Sequence, residues 1–103
     1  MIKVIVVDDE RFVRMGIVGE TDWASLGCEV VGEAENGLDA LELVHKKNPD
    51  LMICDIRMPK MNGLEMLKKL REEKNPVQVI FLTAYSEFSY AREALKLYAL
   101  IIC

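Results

Sequence analysis

Asp8, Asp9 and Glu10 follow directly on an apolar run at 4–7, and Asp55 follows directly on another at 51–54. Thr83 closes a third run, at 79–82. Carboxylates and a hydroxyl gathered at one place would offer the hard oxygen ligands that suit Mg2+, which binds through one or two carboxylates and keeps waters that a phosphate can replace. Taken singly, each residue has a plainer account. An acid after a strand is often a helix cap or a solvated loop residue, and a threonine closing a strand is usually structural. Together they resist that account, because crowded carboxylates repel one another unless a cation offsets the charge. Glu10 belongs with the start of a helix, where an acid interacts well with the macrodipole.

Other chemistries fit less well. Neither G-x-x-x-x-G-K-[ST] nor G-x-G-x-x-G is present, which argues against a nucleotide-cradling loop. The single histidine, His45, stands beside Lys46 and Lys47 on an outer helix face, away from any serine–acid pair. Phosphatases that use D-x-D are a poor match, since the segment reads Asp55, Ile56, Arg57.

The elements that must position these residues are short. The runs at 4–7, 51–54 and 79–82 lack polar alternation, as expected of parallel strands covered on both faces. A weaker run starts at Cys28 and ends near Ala34, interrupted by Glu29 and Gly32. Between the runs lie helical patterns: Phe12, Met15, Gly16 and Gly19; Leu38, Leu41 and Val44, with Ala40 and Leu43 beside them; Leu64, Leu67 and Leu70; and Phe88, Ala91 and Leu95. Asn36 and Ser86 are candidate helix caps, and Pro49 and Pro76 stop the helices that precede two of the strands. Alternating strands and helices predict an α/β, doubly wound parallel sheet. In such a sheet ligands bind outside the carboxyl ends of the strands, where all the residues named first would stand.

Composition sets the frame. A chain of 103 residues is one domain, read as 1–103, with 51% hydrophobic and 29% charged residues. Its net charge of −4 argues against nucleic-acid binding or an anionic membrane surface as a partner. No stretch approaches the ~20 apolar residues of a membrane span and the amino terminus does not read as a signal peptide, so a cytoplasmic location is expected. Cys28, Cys54 and Cys103 are an odd set without C-x-x-C spacing, read as free thiols. With Cys28 and Cys54 on strands either side of the first, about 9.5 Å would separate them, beyond the ~7 Å reach of a disulfide.

Three segments resemble the receiver domains of two-component response regulators: Val7 to Glu10, Asp55 to Pro59 with Gly63 behind it, and Leu82 to Tyr85. The similarity runs to about Leu97. The segments 32–37 and 86–91 resemble a subgroup that carries an arabinose-regulator-type helix-turn-helix output domain. The resemblance implies a flavodoxin-like sheet of strand order 2-1-3-4-5. It implies Asp55 as phosphoacceptor, Asp9 as a direct Mg2+ (or Mn2+) ligand, Asp8 as a ligand through water, and the backbone carbonyl of Arg57 as a further ligand. Thr83 would be the switch hydroxyl, and Arg57 and Tyr85 would flank the phosphoryl site. The partners it implies are a sensor histidine kinase, which donates the phosphoryl group, and an output DNA-binding domain; the role is that of a switch, not a turnover enzyme.

One departure accompanies the match. Family members continue through a fifth strand to a lysine that pairs with the phosphoryl group, and then to a last helix. Here Ile102 falls at an aromatic switch position, Tyr98 stands where glycine is usual, and the chain ends before the lysine. The expectation is a receiver domain that is carboxy-terminally incomplete, with its last helix missing and apolar surface left uncovered near the first strand and the terminal run. A homodimer or higher oligomer then follows. The alternative function is a phosphorylation-independent protein-interaction module.

Overall fold

The computed structural model describes residues 1–82 and 88–102. Five strands, β1 (Ile2–Val7), β2 (Cys28–Ala34), β3 (Leu51–Cys54), β4 (Gln78–Leu82) and β5 (Leu100–Ile102), alternate with α1 (Arg11–Glu20), α2 (Gly37–Lys47), α3 (Gly63–Glu72) and α4 (Phe88–Lys96). A short 3-10 turn, Ala24–Leu26, precedes β2. All neighbouring strands run parallel, in the order β2-β1-β3-β4-β5, as the sequence leads one to expect. The interruption seen in β2 is a bulge: Val4 pairs with Val30, but Ile5 pairs with Gly32.

Successive strand residues point to opposite faces, and the two faces are packed unequally. Ile5, Val7, Met52, Cys54, Val79 and Phe81 point into the larger core, where Ala40 and Val44 of α2, Leu64, Met66, Leu67 and Leu70 of α3, and Ala94 of α4 meet them. On the other face, Val4, Val6, Cys28 and Ile53 gather a smaller core closed by Ile17 and Val18 of α1 and by Trp23. Trp23 is fixed there by an indole N–H that donates to the carbonyl of Val18 at 3.1 Å.

Three helix faces depart from the sequence reading. In α1 the residues turned inward are Arg14, Ile17 and Val18, whereas Phe12 is 86% exposed and Met15 is also exposed. In α2, Ala40 and Val44 are buried as read and Leu41 and Leu43 pack against the core, but Leu38 faces solvent. Leu95 of α4 is likewise exposed, and Ala94 takes the inner place. The α3 stripe of Leu64, Leu67 and Leu70 is buried as read. Asn36 caps α2, its side chain accepting the Asp39 N–H at 2.9 Å; Ser86 lies outside the described residues. The apolar surface expected to lie uncovered does so on the terminal run but not at Val4 and Val6 of the first strand. Val4 and Val6 of β1 are fully buried, and it is Leu100 and Ile102 of β5 that are exposed.

Cys28 and Cys54 are buried free thiols on the strands flanking β1, and Cys103 lies outside the described residues. Among the described residues no helix is long and apolar enough to cross a membrane.

Candidate functional site

The sheet ladder itself places the acids. Past the end of β1, the Asp8 N–H still donates to the Ala34 carbonyl of β2 at 3.0 Å. Past the end of β3, the Asp55 N–H donates to the Val7 carbonyl of β1, also at 3.0 Å. Each acid is thus the first residue beyond its strand, held by one more ladder bond, at the carboxyl edge of adjacent strands. One carboxylate oxygen from each of Asp8, Asp9 and Asp55 lies within 4.8 Å of the others.

Local bonds aim the side chains. The Glu10 N–H donates to Asp8 Oδ1 at 2.9 Å, and the Ile56 N–H donates to Asp55 Oδ1 at 2.8 Å. Glu10 itself stands at the amino end of α1 but makes no side-chain cap bond. Asp8 is only 7% exposed, Asp55 is half-buried, and Asp9 is open to solvent. Beneath the site, the fully buried Cys54 thiol donates to the Asp55 carbonyl oxygen at 3.0 Å.

Electrostatics register the crowding. Burial, followed by the negative charge of Asp8, pushes the Asp55 carboxyl up to about 6, against the pull of the Ile56 and Arg57 backbone N–H groups. Asp8 is raised as well, chiefly by burial, with Asp9 and Glu10 adding to the rise and Arg14 opposing it. An arrangement that makes ionised carboxylates unfavourable while aiming them at one point favours a cation between them. The oxygen-only donor set fits a hard divalent ion such as Mg2+.

Arg57 lies in the loop after β3, two residues beyond Asp55, with an exposed side chain. Thr83 and Tyr85 lie outside the described residues. His45 is on the exposed face of α2, as read, and is paired with Glu73, just past the end of α3, at 2.7 Å. Lys96 is the last residue of α4. Sequence reasoning missed Arg14, whose guanidinium Nη1 donates to the Asp8 carbonyl at 2.6 Å and whose Nε meets Glu33 at 3.1 Å. The signal was there: Arg14 stands three and four residues before Ile17 and Val18, a charge on the inner face of α1.

Known proteins bear on this geometry. The family described as response regulator receiver domain matches residues 4–101. The chain is 43% identical over 96 residues to the transcriptional regulatory protein YesN of Bacillus subtilis, covering 93% of this chain and 26% of that protein. Among solved structures, the REC domain of AraT, a response regulator from Geobacillus stearothermophilus, superposes with a TM-score of 0.85 at 42% identity, over 96% of this chain and 79% of that one. A two-component transcriptional regulator AraC from Clostridium phytofermentans gives a TM-score of 0.87 at 27% identity, over 99% of this chain and 80% of that one. The chain spans between about a quarter and two-fifths of the length of the first curated relatives it matches. A parallel five-stranded sheet with acids at its carboxyl edge is the receiver fold, and this chain belongs to the response-regulator receiver domain family. Its relatives are regulatory proteins of transcription rather than turnover enzymes.

Proposed function

We propose that this chain is the phosphoacceptor switch of a two-component system, with Asp55 taking a phosphoryl group from the phosphohistidine of a sensor histidine kinase. The observation that carries the reading is the gathering of Asp8, Asp9 and Asp55 oxygens within 4.8 Å at the ends of two adjacent strands. Asp9 and Asp55 would be direct ligands for Mg2+ (or Mn2+), Asp8 would hold it through water, and the Arg57 carbonyl would complete the protein's share. A divalent cation held there offsets the charge that would otherwise keep an anionic phosphodonor from an anionic nucleophile.

The chemistry assigned to the chain is compact. A carboxylate oxygen of Asp55 attacks phosphorus in line with the departing imidazole nitrogen, the P–N bond breaks, and an acyl phosphate forms on Asp55. The Thr83 hydroxyl, one residue beyond β4, then bonds to the phosphoryl group, and the movement is passed to a DNA-binding output domain. Loss of Asp9 or Asp55 would have favoured a module acting by contact alone; both are present.

The test is incubation with a small phosphodonor such as acetyl phosphate and Mg2+, read by intact mass. One phosphoryl group is expected on this chain, none without the metal, and none on Asp55→Asn. Equal uptake by Asp55→Asn would show that the acceptor is misassigned.

A further inference from the structure

We propose that Arg14 is a positioning residue for the acidic trio and that Glu33 in turn positions Arg14. Side chains on a helix lean toward its amino end, so Arg14, in the first turns of α1, points back to the corner where β1 gives way to the helix. Its Nη1 donates to the carbonyl oxygen of Asp8 at 2.6 Å, a short, charge-assisted bond. That carbonyl belongs to the peptide unit joining Asp8 to Asp9, and a planar peptide unit held at its oxygen sets the direction in which the Asp9 side chain leaves the backbone. The arginine side chain is 16% exposed, and its Nε is held at 3.1 Å by Glu33 of β2, a residue in register with Val6. One guanidinium therefore joins β2, α1 and the β1–α1 corner behind the candidate metal ligands.

The inference rests on the reading of Asp8, Asp9 and Asp55 as a cation site. Two effects oppose each other at Arg14. Its charge repels a divalent cation, whereas its hydrogen bond holds the ligands ready. Glu33 offsets much of the charge and none of the geometry, so the geometric effect dominates. Outer partners of ligating groups typically contribute about tenfold or more to metal affinity.

The experiment is Mn2+ binding to the whole chain, followed by electron paramagnetic resonance, with unfolding temperatures measured in chelator. Arg14→Met should weaken Mn2+ binding about tenfold with no matching fall in unfolding temperature, and Arg14→Lys should recover part of the loss. Arg11→Met, which removes an exposed charge at the start of the same helix, should change affinity less than about twofold. Arg14→Met binding Mn2+ as tightly as wild type, or more tightly, would overturn the proposal. If Arg14→Met does not fold, Glu33→Leu decides: it leaves the arginine but frees it, and unweakened binding again overturns the proposal. Asp9→Asn tells the two readings apart. Where wild type binds Mn2+ and Asp9→Asn does not, the cation site stands and only Arg14 is at issue. Where wild type fails to bind, or Asp9→Asn binds equally well, the cation site falls and the Arg14 proposal falls with it.

Discussion

Asp55 sits where its ionised form is least welcome, half-buried and beside Asp8, and its carboxyl is held up at about 6. The unfolded chain releases this proton near the ordinary value of 3.8. Between those values the folded state binds more proton than the unfolded state, so this group's contribution to stability falls as pH rises through about 6. The interval corresponds to ~3 kcal/mol, which solvent screening of a partly exposed group reduces to about 1 kcal/mol. We predict that Asp55→Asn raises stability by about that amount in metal-free protein at about pH 7.5, and that the gain disappears near about pH 4. Urea unfolding in chelator at both pH values measures it; a gain independent of pH would mean that charge is not its source. Arg57 and Tyr85 raise a kinetic question at the same scale. Arg57 follows Asp55, and Tyr85 follows Thr83, by two residues, and bulky side chains at these positions should obstruct water's in-line attack on the acyl phosphate. Replacing both with alanine should therefore speed its hydrolysis severalfold. An unchanged decay of the phosphorylated mass would make them bystanders.

At the scale of elements, two glycines, Gly37 against Met61 and Gly63 against Asp55, join loops to helices too closely for any side chain. A Cβ on Gly63 would lie 2.5 Å from the Asp55 carbonyl and 2.8 Å from the Phe81 ring, while the Gly63 N–H donates to the Ile56 carbonyl at 2.7 Å. Backbone held in a sheet ladder cannot yield, so Gly63→Ala should cost about 2–3 kcal/mol and disturb Asp55 directly. Thermal unfolding and phosphodonor uptake should both decline; retention of both would show that α3 shifts freely. Asn62 next to it completes a capping box with Glu65, which helps explain why α3 matched its sequence reading so well. The end of α4 is built differently. Ala99 N–H donates to the Ala94 carbonyl and Tyr98 N–H to the Leu95 carbonyl, the two bonds of a Schellman motif. The residue in the left-handed position is Tyr98, with φ 64 and 81% exposure. Glycine carries no Cβ penalty there but costs more chain entropy, so Tyr98→Gly should stabilise by about 0.5–1 kcal/mol. A lower unfolding temperature for the variant would reveal a role for the ring that its exposure does not suggest.

For the molecule as a whole, the sheet is covered unequally. Helices α2, α3 and α4 contribute to the larger core on one face, whereas α1 alone supplies the helical cover of the other among the described residues. Leu100 pairs with Ile80 and Ile102 with Leu82, so the exposed residues of β5 extend the α1 face beyond the reach of α1. Phe12 and Met15 are also exposed on α1, and large apolar side chains exposed on one side of a molecule favour association. We predict concentration-dependent self-association of this chain, reduced by Leu100→Ser with Ile102→Ser. Sedimentation velocity across micromolar concentrations is the measurement, and a single monomeric boundary throughout would refute it.

The order of elements, the parallel sheet and the acids at its carboxyl edge were legible in the sequence, because each depends on local pattern. Apolar runs of strand length set β1, β3 and β4, and an acid directly after a run must stand at the strand's end. Helix faces were less legible where small residues or charges share the inward side. Periodicity alone ranks Phe12 and Met15 above Ile17 and Val18, but the described fold leaves the first pair in solvent and buries part of the second. The distance among Asp8, Asp9 and Asp55, the raised Asp55 carboxyl and the reach of Arg14 to both Asp8 and Glu33 were decided only by tertiary structure. All three require residues from different elements to share one small volume, and burial and Coulomb interaction at a few ångströms depend on that volume rather than on the order of residues along the chain.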